Sequence, residues 1–119
     1  MRRRAGGRSR SGGNGVLVYT ENVRFAWDIR KARSNVAKHG VSFERAITAF
    51  DDPFALVAVD ARHSTTDELR EWLIGESDSG VLVVVFTRRL RGEVYRIISA
   101  RRANRRERQR YEDSKELPV

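Results

Sequence analysis

The chain has 119 residues, with 24 Lys and Arg against 16 Asp and Glu, a net charge of +8 and no cysteine. One core can be built at this length but not two; disulfide scaffolds and thiol nucleophiles are excluded, and Cys/His zinc sites nearly so, because His39 and His63 are the only imidazoles. Apolar runs such as residues 81–86 fall far below the roughly 18 residues that span a bilayer, so a soluble protein of a reducing cytoplasm is expected, with no membrane partner.

Residues 1–23 carry five Arg against Glu21, and residues 24–119 carry 19 basic against 15 acidic side chains, so each part contributes +4. The second part is basic in its own right, which favours a polyanionic partner, nucleic acid above all. A merely solvated basic surface fits the composition equally well. Met1-Arg2-Arg3-Arg4 has the charge of a signal-peptide start, but Gly, Ser and Arg stand where its apolar stretch would have to be. Residues 1–15 hold five of the nine glycines and too little apolar surface to offset the entropy of ordering. Residues 1–23 are therefore read as a disordered basic Gly/Arg/Ser-rich extension, and 24–119 as the folded domain. The extension either adds nonspecific phosphate affinity or stems from a start codon placed too early; the second is favoured.

From Arg24 the punctuation is regular. Residues 24–27 form a short strand, and Asp28 caps a helix over 29–39 on which Ile29, Ala32 and Val36 recur at helical spacing and face inward. Lys38 and His39 sit in its last turn against the negative end of the helix dipole, and Gly40 ends it. Ser42 caps a second helix, with Phe43, Ala46, Ile47 and Phe50 on its apolar face, which stops at Asp51-Asp52-Pro53. Residues 54–59, 69–75, 81–87 and 94–100 are strands separated by turn-forming stretches, and the short connections favour an antiparallel meander. Residues 81–86 are apolar on both faces, which places them mid-sheet with a layer on each side. Asn104 followed by Glu107 reads as a cap opening a last helix to about Lys115, lightly attached because only Ala103 and Tyr111 are apolar. The fold class is α+β, with two helices packed on a curved antiparallel sheet.

No glycine-rich phosphate loop, nucleophile elbow or metal-ligand spacing is present, and no cofactor is implied. Asp60, Asp67, Glu68 and Glu71 could form a carboxylate metal site, but they alternate with basic residues near strand ends. What the sequence has in excess is arginine on strands: Arg70, Arg88, Arg96, Arg101 and Arg102. Unpaired charge is too costly in a core, so these point outward or pair with acids, and adjacent strands could gather several into a face of bidentate phosphate donors. RNA supplies its own nucleophile, so such a face could orient the chain and stabilise the charge of the phosphorane. Glu68, Glu107, Tyr111, Lys38 and His39 are candidate proton donors or acceptors that spacing does not separate. Each has an ordinary structural explanation: balancing acids for the arginines, a helix-terminal charge for His39, a cap for Glu107, and core or edge packing for Trp27 and Trp72.

Phe25-Ala26-Trp27-Asp28, Asn35-Val36-Ala37-Lys38-His39-Gly40-Val41-Ser42-Phe43 and Phe50-Asp51-Asp52-Pro53, with Glu68-Leu69-Arg70, Gly75, Ile97-Ile98-Ser99-Ala100-Arg101-Arg102-Ala103, Glu107 and Tyr111, resemble the signature of BrnT toxins over residues 24 to about 114. The resemblance implies a RelE-like fold and a metal-independent endoribonuclease that arrests translation. It further implies a ribbon-helix-helix antitoxin as partner, whose complex with the toxin binds operator DNA. It points to Arg70 and Arg101, with Arg102, as catalytic stabilisers of phosphate charge, and to Lys38, His39 and Arg88 as RNA-binding groups, which the strand pattern extends to Arg96. Glu71-Trp72 departs from the family's aromatic directly after the arginine. The alternative is a non-catalytic basic nucleic-acid-binding module.

Overall fold

The computed structural model describes residues 15–19, 23–89 and 93–116. Strands β1 (Gly15–Tyr19) and β2 (Arg24–Asp28) lead into helix α1 (Ile29–His39), the single turn α2 (Phe43–Ala46) and a 3-10 helix, Ile47–Asp51. Strands β3 (Leu56–Val59), β4 (Arg70–Ser77), β5 (Gly80–Arg89) and β6 (Val94–Arg102) follow, and helix α3 (Arg105–Ser114) closes the chain. The six strands form one sheet in the order β1-β2-β6-β5-β4-β3. No helix among the described residues is long and apolar enough to cross a membrane.

The caps act as the sequence leads one to expect. The Asp28 carboxylate accepts from the Arg30 N–H at 2.8 Å and the Ser42 hydroxyl from Arg45 N–H at 3.1 Å, while Gly40 ends α1 at φ 70°, where a side chain would be strained. Asn104 and Glu107 form a reciprocal capping box at α3. The apolar run on β5 is sandwiched. Leu82, Val84 and Phe86 meet Phe43, Ala46 and Ala49 from the α2 and 3-10 layer, and Val83 meets Tyr111 of α3 on the other face. At Gly75 a Cβ would lie 2.9 Å from the Ala49 carbonyl, so glycine lets the 3-10 helix press onto β4.

Four expectations need correction. Strands β3 to β6 do form the antiparallel meander, but β2 joins β6 in parallel, so the sheet is mixed. No tight turn links β2 to β6, and a neighbour reached through intervening helices is free to run parallel. Residues 15–19, placed in the disordered extension, pair antiparallel with β2; residues 1–14 and 20–22 of that extension lie outside the described residues. The second helix is only one α turn before tightening to 3-10. Finally, Val36 is 48% exposed, and its neighbour Asn35 is the residue that α1 buries. The Asn35 amide donates to the carbonyls of Val41 and Ala100 at 2.8 and 2.7 Å and accepts from Ala100 N–H at 3.1 Å, so its burial is fully compensated.

Candidate nucleic-acid interface

Side chains alternate across a strand, and directly paired residues share a face. On the face that α3 partly covers, the register forms three rows: Arg70, Thr87 and Arg96; Trp72, Val85 and Ser99; Ile74, Val83 and Arg101. The slip between Val85 and Phe86 keeps Arg96 and Ser99, three apart in sequence, on this one face. Of the seven arginine, lysine and histidine positions singled out in the sequence, the fold therefore puts Arg70, Arg96 and Arg101 on this face, the first two in one row and Arg101 two rows away.

The first row is short of acceptors. Thr87 is fully buried with no partner for its hydroxyl, and the buried Arg70 Nε beside it also has none. The carboxylate nearest Arg70 is that of Glu68 at 3.8 Å, beyond hydrogen-bond length, and Glu68 also faces Arg89 at 3.2 Å. Arg96 makes no ion pair among the described residues; its charge reaches Asp28, whose carboxyl is lowered chiefly by the Arg30 N–H, with Arg96 a smaller influence. Arg70 and Arg96 stand two strands apart, about 9.6 Å between backbones, which long side chains can bridge over Thr87.

Arg101, in the third row, is occupied. Its two terminal nitrogens donate to the two Glu107 oxygens at 2.8 Å each, and Nη1 also reaches the Arg102 carbonyl at 3.3 Å. That bidentate bond raises the guanidinium and holds Glu107 below the usual carboxylate range, with the Asn104 N–H helping. Glu107 is thus an ionised acceptor already in use, not a proton donor. Tyr111 is 1% exposed; burial first, and then its hydrogen bond to Asp52, push the phenol up, so it stays protonated and donates to Asp52. Among the candidate acids and bases, Glu68 alone adjoins the first row.

The other four positions lie elsewhere. Arg88 points to the opposite face, its Nε and Nη2 donating at 2.5 and 2.7 Å to Glu71, a carboxylate only 4% exposed. Burial of Glu71 requires that pair, and its hydrogen bond raises the Arg88 guanidinium. Arg102 donates to the Ser79 carbonyl at 2.6 Å and braces the β4–β5 turn. Lys38 and His39 end α1, in the helix layer across the sheet from Arg70. Of the four acids that might have held a metal, three are taken up by different partners: Asp60 bonds His63 at 2.8 Å, Glu68 faces arginines and Glu71 holds Arg88. No group of three or more potential ligands occurs among the described residues. Sequence reasoning missed Thr87 and Asn35. The signal for Asn35 was an asparagine in mid-helix, where its side chain competes with the helix unless something else occupies it.

The family model described as the BrnT ribonuclease toxin of type II toxin–antitoxin systems matches residues 27–107. The chain belongs to the BrnT family. An RNA substrate and a cognate antitoxin follow from that membership. No curated protein matches the chain. The BrnT match takes in all seven positions singled out from the sequence, together with Thr87, Asn35 and Glu107, and stops within the first turn of α3.

The carboxylates that anchor α3 to this BrnT domain make its stability pH-dependent. At Asp52 burial would raise the carboxyl, but donation from Glu76 N–H, Tyr111 and Phe54 N–H outweighs it and leaves it lowered; Glu107 is lowered by Arg101. A carboxyl lowered on folding stabilises fully above its unfolded value, about 4, and loses that contribution as pH falls through the folded value. Urea midpoints are expected to be flat near neutrality and to fall below about pH 4. Glu107→Gln is expected to flatten that acid slope; an unchanged slope in the variant would count against the Arg101–Glu107 pair as an anchor.

Proposed function

We propose that the chain is a cytoplasmic toxin that cleaves RNA internally and without a metal, with the scissile phosphate seated on the row Arg70–Thr87–Arg96. The observation that carries this is the imbalance of that row: two arginines lacking a carboxylate at hydrogen-bond distance flank a buried hydroxyl without an acceptor. A phosphate bridging the two guanidiniums supplies the acceptors they lack. The ribose 2′-oxygen attacks phosphorus to close a 2′,3′-cyclic phosphate, the bond to the 5′-oxygen breaks and that oxygen takes a proton from water to leave as a hydroxyl, and the guanidiniums stabilise the charge gathered on the phosphorane oxygens. In this reading Glu68, the carboxylate beside the row, accepts the 2′-hydroxyl proton. Arg101, closed on Glu107, has two N–H groups left and supports the neighbouring phosphate. Arg88, Arg102, Lys38 and His39 have peripheral roles in this reading. The layered sheet and C-terminal helix fit a RelE-like fold, and the basic face fits a ribbon-helix-helix antitoxin that covers it and carries the complex to operator DNA.

The closure of Arg101 and Arg88 on carboxylates favours a second reading, a basic module that binds nucleic acid without cutting it. Mapping of 5′ ends separates the two. Induction in cells, and incubation of purified protein with RNA in EDTA, are expected to give new 5′-hydroxyl ends. Salt-sensitive binding with no new ends would establish the non-catalytic module, and loss of cleavage in EDTA would defeat metal independence.

A further inference from the structure

We infer that Trp72 is a stacking platform for the nucleotide base next to the phosphate held by Arg70 and Arg96, an inference that rests on the ribonuclease reading above. The two tryptophans are placed very differently. Trp27 is 1% exposed and wedged against Phe43 in the core, whereas Trp72 is only partly buried, on the face that carries the arginine row. Its paired neighbours are Ala58 and Val85, too small to cover an indole, so although the ring packs against the Ile74–Val83–Ala103–Tyr111 cluster it stays partly exposed. Trp72 follows Arg70 by two residues on the same face, about 6.8 Å along the strand, a step that one extended nucleotide spans from phosphate to base.

The ring is also already addressed by a cation. The Arg110 guanidinium of α3 sits 5.9 Å from the centroid of Trp72, and Arg110 is exposed with no ion pair among the described residues. A base inserted between the two planes needs two stacking rises of roughly 3.4 Å, so Arg110 has to retreat by about 1 Å. That is a small movement for an exposed, flexible side chain. The base then lies between an indole and a guanidinium, the arrangement by which proteins hold single-stranded bases with little sequence preference. Arg105 and Arg106 line one surface groove with Arg110 on the same helix and add positive charge to α3, with no ion pairs of their own among the described residues.

The test is a titration with a dye-labelled single-stranded oligonucleotide whose 2′-hydroxyls are methylated and which cannot be cleaved, with stacking read by intrinsic fluorescence and affinity, in parent and variants alike, by the anisotropy of the label. Trp27 is sealed in the core, so quenching reports Trp72. Saturable quenching is expected in the parent protein and its loss in Trp72→Phe. Trp72→Leu is expected to bind about 10- to 100-fold more weakly, with KM for a cleavable RNA raised in parallel and kcat nearly unchanged. Trp72→Phe, which keeps an aromatic face, is expected to restore binding to within a few-fold. Parent protein that binds without quenching, or Trp72→Leu that binds and cleaves like the parent, overturns the platform and leaves the ribonuclease reading standing. Quenching with no RNA cleavage by the parent overturns the ribonuclease reading instead. A loss in Trp72→Leu that tracks a lower unfolding midpoint, and is not rescued by phenylalanine, would make Trp72 a packing residue only.

Discussion

Arg70→Ala is expected to lower RNA cleavage by about 100- to 1,000-fold, the cost of removing one preorganised donor from a developing oxyanion, while the domain stays folded. Arg70 is the arginine for which structure and proposed chemistry coincide most directly. It is half-buried, so its side chain is held in place, yet neither carboxylate near it is at hydrogen-bond distance: Glu68 is 3.8 Å away and shared with Arg89, and Asp60, lowered chiefly by its bond to His63 and less by Arg70, is taken up by that histidine. Its guanidinium is therefore not closed in a bidentate pair as those of Arg88 and Arg101 are. Arg70→Lys is expected to recover only part of the activity, because an ammonium keeps the charge but lacks the planar fork that grips two phosphate oxygens. Arg101→Ala is the less informative variant: it also strips Glu107 of its partner and loosens α3, mixing stability with catalysis. The measurement is single-turnover cleavage alongside a urea unfolding curve. Parental cleavage in a folded Arg70→Ala protein would remove the phosphate row from the mechanism.

Local order was legible in the sequence because its signals are local. Asp28, Gly40, Ser42 and Asn104 each act on backbone groups within a few residues; Asp28, Ser42 and Asn104 open their helices and Gly40 closes α1, as their chemistry dictates. The alternating and fully apolar stretches likewise marked β3 to β6 within about two residues. The parallel β2–β6 pair was illegible, because nothing near either strand records a neighbour some seventy positions away. The candidate site fell between these cases. That arginines lay on strands was evident, but the parity of each position, together with the bulge at Val85/Phe86, decides the face. Arg70 and Arg96 share a row through Thr87, whereas Arg88, next to Thr87 in sequence, turns to the other side and is spent on Glu71. Pairing partners, more than residue type, distinguish a free arginine from a structural one here.

Asn35→Ala is expected to cost about 3–5 kcal/mol of stability, more than most single substitutions, although no charge and little apolar surface is lost. The reason is the set of groups it leaves behind. The Asn35 amide satisfies the carbonyl of Val41, and both the carbonyl and the N–H of Ala100, at 2.7 to 3.1 Å, in a site where the side chain is 5% exposed. Removing it strands three buried backbone groups, each worth about 1–3 kcal/mol when unsatisfied, with limited recovery if water enters the space. For a domain this small the loss corresponds to a fall of very roughly 15–30 °C in Tm. Asn35→Asp offers no relief: a carboxylate can accept from Ala100 N–H but presents negative charge to two carbonyl oxygens. The contact also has a functional side, since Ala100 directly precedes Arg101 and Asn35 pins that point of β6 to α1. A urea titration showing less than about 1 kcal/mol lost in Asn35→Ala would mean that α1 is held by its apolar contacts alone. Val36, 48% exposed at the next position, provides little of that contact, so a large loss is the expected result.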